Sequence, residues 1–401
     1  MANNILVVNC GSSTLKFQLI DMLTNEVLAK GKCDKIKLPN SVFEYKCERK
    51  GVKFEREASF PTHSEAISTV LAELVNNQTG PIASVNEIAA VGHRAVHGGE
   101  TFNSSVRITD EVIAKLNELA PLAPLHNPAC VIGMQACMQL LPNVPHVAVF
   151  DTAFHQTMPE YAYTYAIPHS LYETDKIRRY GFHGTSYAYV SKRMAEILGK
   201  NVSELNCIIC HLGGGASMCA IKNGKSIDTT MGFTPTEGLV MGTRSGDVDP
   251  GIITYLIKNK GMTIDQVSEM LNKQSGLVGL AGISDSRELC EASRTGNEAA
   301  VLARRVENYR IRKYIGAYIA AIGKIDAVVF TGGIGENNVG EREMILAGLE
   351  HIGIDLDKEK NRQTGGIEGK ISSAISRIPV WVVPTNEELE IAKETLRVIQ
   401  G

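Results

Sequence analysis

Two glycine-rich turns, each flanked by short apolar strand patterns, constrain this chain more than any other feature. The first hairpin pattern covers residues 5–17 and turns at 11–14; the second covers 207–217 and turns at 213–215. Glycine lets the backbone approach a ligand closely, and successive turn amides can then face one anion. Two such turns separated by roughly 200 residues indicate a duplicated nucleotide-binding architecture. The alternative is two ordinary tight hairpins.

Composition narrows the classes of protein to which the chain can belong. It has 401 residues, 44% of them hydrophobic and 21% charged, enough for two globular domains. The net charge is −3 without a lysine or arginine run, which argues against nucleic acid as a partner. We find neither a membrane-length apolar stretch nor a signal-peptide pattern. Nine scattered cysteines are typical of reduced thiols, so we expect a cytoplasmic protein without membrane contact.

Several patterns of common catalytic sites are incomplete or absent. Residues 219–226 resemble the end of a P-loop, but Cys219 stands where that motif needs glycine. Residues 333–338 lack the third glycine of a dinucleotide fingerprint, and neither H-E-x-x-H nor G-x-S-x-G occurs. The sequence therefore gives no local support for hydride transfer or serine hydrolysis.

Strand and helix patterns divide the chain into two similar halves. Strands are predicted over residues 4–9, 16–21, 26–31, 43–57 (a hairpin), 88–92, 146–150, 207–212, 217–222, 225–229, 326–331 and 379–384. Helices are predicted over residues 63–77, 111–119 with Asp110 as cap, a segment after Pro128, 185–198, 296–323, and 386–399 with Thr385 or Asn386 as cap. Each half is thus a strand meander followed by α/β crossovers. We place one domain at 1–150, joined by the C-terminal helix 386–401, and the other at 151–385.

Polar residues concentrate at the ends of the predicted strands and in the glycine-rich turns, where α/β proteins place their chemistry. The candidates are Asn9, Ser12, Thr14, Lys16, Arg94, His126, Asp151, His183, Arg244 and Glu387. Arginine suits phosphoryl charge because its planar fork donates in two directions. Glycines near Arg94 and Arg244 open space for such a group, although a surface ion pair is the usual role of an arginine.

Four of these candidates need closer interpretation, and for three of them more than one role stays open. His183 precedes a predicted helix, so it either acts on an anion at the helix N-terminus or only caps the helix. Asp151 is a metal ligand, a general base or a cap. Asn9 and Glu387 carry the hard oxygen donors that Mg²⁺ prefers, while Glu387 also suits the first turn of a helix for electrostatic reasons.

Taken together, eight segments of the chain resemble the acetate kinase family. They are residues 9–16, 92–99, 123–128, 150–155, 179–185, 241–247, 330–337 and 384–388. The resemblance spans the chain in order. It implies an α/β, two-domain, actin/Hsp70/hexokinase-like (ribonuclease H-like) fold with a duplicated strand meander plus α/β crossovers. It also implies a homodimer that catalyses reversible, ATP-dependent phosphorylation of acetate to acetyl phosphate, with ATP or ADP as co-substrate.

The resemblance also implies roles for single residues. Arg94 and Arg244 would hold the carboxylate and the transferring phosphoryl group, His183 would donate to that group, and Asp151 would position the substrate or act through the metal. Asn9 and Glu387 would hold Mg²⁺, with Mn²⁺ as an alternative, and His126 would be a further cleft residue. The acyl methyl pocket would comprise Val96, Leu125, Phe182 and Pro235. The nucleotide would contact Ser12, Thr14, Lys16, His211, Gly213, Gly214, Gly215, Asp285, Ser286, Arg287, Gly332, Gly333, Ile334, Gly335 and Asn337.

Departures from the family pattern and two alternative functions stay open. Gly214 stands where the family usually has asparagine, and Ser286 stands where an aromatic residue is frequent. Both changes point to altered nucleotide binding. Val96 narrows the methyl pocket and favours acetate over propionate, so propionate kinase is the nearest alternative. An ATP-driven switch without group transfer is the alternative of another class.

Overall fold

The computed structural model of the protein describes residues 3–124 and 126–401. Up to Phe150 the elements are β1 (Asn4–Cys10), β2 (Leu15–Asp21), β3 (Glu26–Asp34), β4 (Ser41–Cys47), β5 (Val52–Ala58), α1 (His63–Leu74), β6 (Ile88–Ala95), β7 (Val106–Arg107), α2 (Asp110–Glu118), α3 (Asn127–Leu140) and β8 (His146–Phe150). There follow α4 (Glu160–Tyr163), α5 (Ser170–Asp175), α6 (Gly184–Leu198), β9 (Cys207–Leu212), β10 (Ala216–Lys222), β11 (Lys225–Thr229), α7 (Pro250–Lys260), α8 (Ile264–Lys273), α9 (Gly276–Ala281), α10 (Ser286–Arg294) and α11 (Glu298–Ile322). The last elements are β12 (Ala327–Thr331), α12 (Gly332–Asn337), α13 (Val339–Leu346), α14 (Lys358–Gln363), β13 (Gly369–Lys370), β14 (Val380–Val382) and α15 (Glu387–Gln400).

The chain divides into two compact units. The first unit runs through Phe154 and resumes at Asn386–Gly401, so it includes α15; the second comprises His155–Thr385. This division lies four residues beyond the boundary that we placed after residue 150. Asp151 therefore belongs to the first unit.

The sheet of the first unit combines an antiparallel meander with parallel crossovers. Its strand order is β5-β4-β3-β2-β1-β6-β8-β7. The neighbours from β1 to β5 pair antiparallel, whereas β1, β6 and β8 run parallel. Helix α15 packs on these three parallel strands.

The sheet of the second unit repeats that plan in the order β11-β10-β9-β12-β14-β13. Strands β9, β10 and β11 form the antiparallel part, and β9, β12 and β14 run parallel. Every residue of β9 is buried, as its β-branched and apolar sequence predicts for a central strand. The predicted α/β class, with a strand meander and crossovers in each half, is confirmed.

Local side-chain signals mark the starts of helices α1 and α2. Helix α1 starts at a capping box, in which Thr62 accepts from the Ser64 amide and Glu65 accepts from the Thr62 amide. The predicted cap of α2 is wrong, because the Thr109 hydroxyl accepts from the Val112 amide at 3.3 Å and Asp110 is already helical. Asp110 thus lies in the first turn of α2, where the helix dipole stabilises a negatively charged carboxylate.

Both units contain free cysteine side chains in their interior. All nine cysteines are buried free thiols. Among the helices in the described part of the chain, none combines the length and hydrophobicity that a membrane span requires.

Candidate active site

Three candidate residues of the first unit meet at one edge of its sheet. Asn9 is the penultimate residue of β1, Arg94 that of β6, and Asp151 directly follows β8. Because these strands are parallel neighbours, their carboxyl ends lie at the same edge. Glu387 is the first residue of α15, the helix that packs on the same strands.

Arg94 and Asp151 form a two-pronged ion pair. The Arg94 Nε donates to Asp151 Oδ1 at 3.0 Å, and Nη2 donates to the other carboxylate oxygen. The Asp151 side chain is only 1% exposed, whereas the Arg94 side chain is 24% exposed. Burial raises the pKa of Asp151, and the positive charge of Arg94 opposes that increase. The pair fixes the orientation of the guanidinium and leaves part of it accessible to an anion.

Two residues with oxygen donors suited to a hard cation lie at the edge that carries this ion pair: Asn9 near the end of β1, and Glu387 at the start of α15, whose charge acts on the pair. Asn9 and Glu387 are both half-buried. The negative charge of Glu387 helps to raise the pKa of Asp151, while His126 acts in the opposite direction. An amide oxygen and carboxylates are the ligands that Mg²⁺ prefers. In the described residues, three or more His, Cys, Asp or Glu side chains do not gather into a metal-binding group.

The first glycine-rich turn is tightly held but its side chains differ in exposure. The Gly11 amide donates to the Thr14 carbonyl at 2.8 Å, and the His63 Nε2 donates to the Gly11 carbonyl at 2.8 Å. Ser12 and Lys16 are exposed and Thr14 is half-buried. Lys16 lines a groove of about 700 Å³ over strands β2 to β5, beside Glu388.

The second unit presents its own glycine-rich turns at the matching edge of its sheet. Strand β9 ends at Leu212 and leads into the turn at 213–215, and the parallel β12 ends at Thr331 and leads into α12. A Cβ at Gly332 would lie 2.7 Å from the Leu212 carbonyl oxygen, and its φ of +76° is left-handed. Only glycine lets α12 start this close to β9.

His183 adopts a strained backbone and directs its ring into the sheet rather than onto its helix. It precedes α6 with φ +58° and makes no side-chain capping bond. Its Nδ1 instead hydrogen-bonds the Ser217 hydroxyl at 2.7 Å, and that hydroxyl also contacts the Tyr187 hydroxyl. The capping role is therefore wrong for its side chain. A non-glycine residue in this conformation persists where the surroundings hold it, often at functional sites.

His211, predicted as a nucleotide contact, stacks on His183 with ring centroids 4.3 Å apart. Its Nδ1 hydrogen-bonds the buried Ser186 hydroxyl at 2.8 Å. The two imidazole rings thus stack on each other, and a different serine hydroxyl orients each ring.

Arg244 lies next to this pair with neutral partners alone. Its Nη1 donates to the Pro235 carbonyl at 3.2 Å and lies 3.8 Å from the Met241 sulfur. A Cβ at Gly215 would lie 3.6 Å from His183 Nε2 and 3.7 Å from Arg244 Nη1, so both groups border this turn. Within the described residues Arg244 has no carboxylate partner, and burial lowers its pKa. A half-buried cation without a counter-ion is suited to an anionic ligand.

The predicted adenosine segments border one cavity of about 860 Å³ in the second unit. Its lining includes Gly213, Gly214, Asp285, Ser286, Arg287, Gly333, Ile334 and Asn337. Asp285 caps α10 and accepts two bonds from the Arg287 guanidinium, which together lower its pKa to about 2. A Cβ at Gly214 meets no atom within 4 Å, so the space next to this α-carbon is open.

Three of the four residues predicted for the acyl pocket lie in the described part of the chain. Val96 is half-buried and packs against the core of the first unit. Phe182 is 3% exposed, and its carbonyl accepts from His155 Nε2 at 2.9 Å, while Pro235 is half-buried beside Arg244. Leu125 lies outside the described residues.

Comparison with known proteins decides the family. Residues 4–393 match the model of the acetokinase family. The chain belongs to the acetokinase family. It is 56% identical to the acetate kinase of Caldanaerobacter subterraneus subsp. tengcongensis over 400 residues, or 99% of both chains.

Two solved structures of acetokinase relatives share the fold. The Porphyromonas gingivalis acetate kinase aligns with a TM-score of 0.95 at 49% identity, covering 99% of this chain and 100% of its own. A propionate kinase from Francisella tularensis aligns with a TM-score of 0.93 at 43% identity, with the same coverage. The predicted family is confirmed, and with it the class of enzyme: an ATP-using kinase that phosphorylates a carboxylate.

Several polar residues around the acetokinase site were missed by sequence analysis. Ser186 and Ser217 hold the two histidines, and Asn338 joins α10 to α13 by donating to the Ser286 hydroxyl at 3.3 Å. Strand pairing would have revealed Ser217, because it lies directly opposite His211 in the β9–β10 hairpin. Ser186 and Asn338 carry no comparable local signal.

Proposed function

We propose that this chain catalyses reversible, direct in-line transfer of the γ-phosphoryl group of ATP to acetate, giving acetyl phosphate and ADP. The observation that carries the proposal is the half-buried guanidinium of Arg244, which has only neutral partners in the described residues and borders Gly215 together with His183. Such a group is suited to a phosphoryl group that carries charge on several oxygens.

Charge stabilisation and positioning account for the chemistry. An acetate oxygen attacks the γ-phosphorus, the bond from that phosphorus to the bridging oxygen breaks, and its electron pair stays on ADP. Arg94, held by Asp151, orients the acetate carboxylate, while Arg244 and His183 donate to the equatorial phosphoryl oxygens. A carboxylate is already nucleophilic at neutral pH, so the reaction needs no strong base. Preorganised donors of this kind supply much of the rate enhancement in such reactions.

Asn9 and Glu387 are the proposed ligands of Mg²⁺. Their oxygen atoms fit the preference of this ion, and the charge of Glu387 acts on the Arg94–Asp151 pair. When bound, Mg²⁺ supplies positive charge that offsets the repulsion between the carboxylate and the polyphosphate.

Propionate is the second candidate substrate, because the solved Francisella tularensis relative is a propionate kinase. The branched side chain of Val96 favours the smaller acid. One methylene in an apolar pocket changes discrimination by only about 1–3 kcal/mol. We therefore expect measurable but lower turnover of propionate, and Val96→Ala should narrow the difference.

A hydroxylamine trap for acyl phosphates tests the proposal directly. The enzyme is supplied with ATP, GTP or CTP and with acetate, propionate or butyrate, and the hydroxamate is quantified. Acetohydroxamate should be the main product. ATP hydrolysis that is independent of acetate, without any hydroxamate, would support a nucleotide-driven switch instead.

The matched variants are Arg244→Ala and Arg193→Ala. Losing one charged donor in the transition state should lower kcat by about 10²–10³-fold. Arg193 is exposed and pairs with Glu368, so its replacement should leave kcat unchanged. Near-normal turnover of Arg244→Ala would contradict the assigned role.

We infer further that the chain forms a homodimer in the cytoplasm. Helix α7 has no buried residue and exposes Ile252 and Tyr255 by 46% and 53%. Exposed apolar side chains grouped on one helix are typical of an interaction surface. Sedimentation should give a dimer, and Tyr255→Lys should shift it towards monomer. A cytoplasmic location agrees with nine buried free thiols.

A further inference from the structure

Thr385 uses its backbone and its side chain to join two different parts of the second unit. Its amide donates to Glu336 Oε1 at 3.0 Å, and its hydroxyl lies 2.8 Å from the Ser186 hydroxyl. The sequence allowed Thr385 to cap the last helix. Asn386 does so instead, because its side-chain oxygen accepts from the Leu389 amide at 3.0 Å. The Thr385 hydroxyl is therefore available for another contact.

The contact of Thr385 with Glu336 ties it to the glycine-rich start of α12. Glu336 Oε1 also accepts from the Gly332 amide at 2.8 Å, so one carboxylate oxygen holds both the first residue of α12 and Thr385. Hydrogen bonds to an ionised acceptor are stronger than neutral ones. Residues 333–337 of this helix border the 860 Å³ cavity.

The contact of Thr385 with Ser186 leads to the two stacked histidines. The Ser186 hydroxyl is fully buried and lies 2.8 Å from His211 Nδ1, while the His211 ring stacks on His183. A serine hydroxyl has one proton, so it donates to one neighbour while accepting from the other. Whether His211 Nδ1 donates or accepts, the Thr385 hydroxyl completes the sequence of hydrogen bonds. Its loss leaves the buried Ser186 hydroxyl with one of the two partners that it has among the described residues.

We propose that Thr385 is a positioning residue for phosphoryl transfer, linking the nucleotide loop through Glu336 to the His211–His183 pair through Ser186. This inference rests on the proposed function. Thr385 acts through other residues, so its loss should misalign the imidazoles relative to the nucleotide loop while leaving the binding of acetate intact.

Thr385→Val tests the proposal because it removes the hydroxyl but keeps the amide and the shape. We expect kcat to fall about fivefold to tenfold, the value of one net hydrogen bond, with KM for acetate within about twofold of wild type. Thr385→Ser should recover most of the lost kcat. Ser186→Ala should resemble Thr385→Val, and combining them should add little, because both break one chain of hydrogen bonds.

Thr395→Val is the matched control. The Thr395 hydroxyl is also buried, but it donates only to the Ile391 carbonyl of its own helix at 2.7 Å. Its replacement should leave kcat unchanged. Wild-type kcat in Thr385→Val, an equal loss in Thr395→Val, or a matching rise in KM for acetate would each overturn the proposal. Absence of acyl phosphate from the wild-type enzyme would instead contradict the proposed function, which the same assay reports first.

Discussion

Replacing Arg94 with alanine leaves the Asp151 carboxylate buried without its two-pronged partner. Removing one member of a buried ion pair typically costs about 3–5 kcal/mol, because the remaining charge stays out of water. The Asp151 side chain is 1% exposed but a quarter of Arg94 reaches solvent. We therefore expect the lower end of that range, about 3 kcal/mol of unfolding free energy.

The same variant should acquire a pH dependence of defined sign. Burial raises the pKa of Asp151, and Arg94 opposes the increase, so the Asp151 pKa rises further in Arg94→Ala. Folded protein then keeps a proton that unfolded chains release above a pH of about 4. Since the folded state binds more protons, stability falls as pH increases above about 4, until the raised pKa of Asp151 in the folded variant is passed. Arg94→Ala/Asp151→Asn should lose this dependence and regain part of the lost stability, because no unpaired buried charge remains.

Urea unfolding followed by far-UV circular dichroism measures both effects. The single tryptophan, Trp381, lies in β14, so its fluorescence follows the second unit separately. Arg49→Ala is the control, because Arg49 forms an exposed pair with Glu26 and should cost less than about 1 kcal/mol. A loss below 1 kcal/mol in Arg94→Ala, or a double variant no more stable than the single one, would refute this reasoning.

Three smaller predictions concern the glycine-rich turns and one buried histidine. Gly214→Asn should leave stability unchanged and lower KM for ATP about twofold to tenfold if its amide reaches a phosphate; an unchanged KM would contradict that placement. Gly332→Ala should weaken ADP binding measured by calorimetry, because its φ is left-handed and its Cβ would lie 2.7 Å from a backbone oxygen; tight binding would contradict the required approach. Burial lowers the pKa of His155 to about 4. As pH falls below about 6.5, the unfolded state therefore binds a proton before the folded state does. The free energy of unfolding should consequently drop by roughly 1 kcal/mol near pH 5.5. Urea midpoints at pH 7.5 and 5.5 check this, and His155→Gln should show a smaller pH dependence than wild type.

Sequence patterns predict the fold well where burial is continuous. The apolar runs of β9 and β8 define strands at the expected residues, because a central parallel strand is buried on both faces. Boundaries that depend on side chains elsewhere are harder to predict. No helix is predicted directly after Thr331, yet this segment forms α12, at whose start the Glu336 carboxylate accepts from the Gly332 amide.

The polar groups of the candidate site were also only partly predictable from the sequence. Arginines and histidines next to glycines are recognisable in the sequence, and Arg94, His183 and Arg244 were singled out on that basis. The groups that orient them are small hydroxyls such as Ser186 and Ser217, which occur throughout any chain. The pairing of β10 with β9 could have identified Ser217, which lies opposite His211, whereas only tertiary contacts distinguish Ser186.

The nine buried thiols allow local opening of this enzyme to be followed by chemical labelling. Cys10, Cys33, Cys47, Cys130 and Cys137 belong to the first unit, and four others belong to the second. Burial raises the pKa of thiols in both units, so alkylating reagents would react with them only in transiently opened molecules. Peptide masses after timed labelling would therefore report which unit opens first, without any engineered probe.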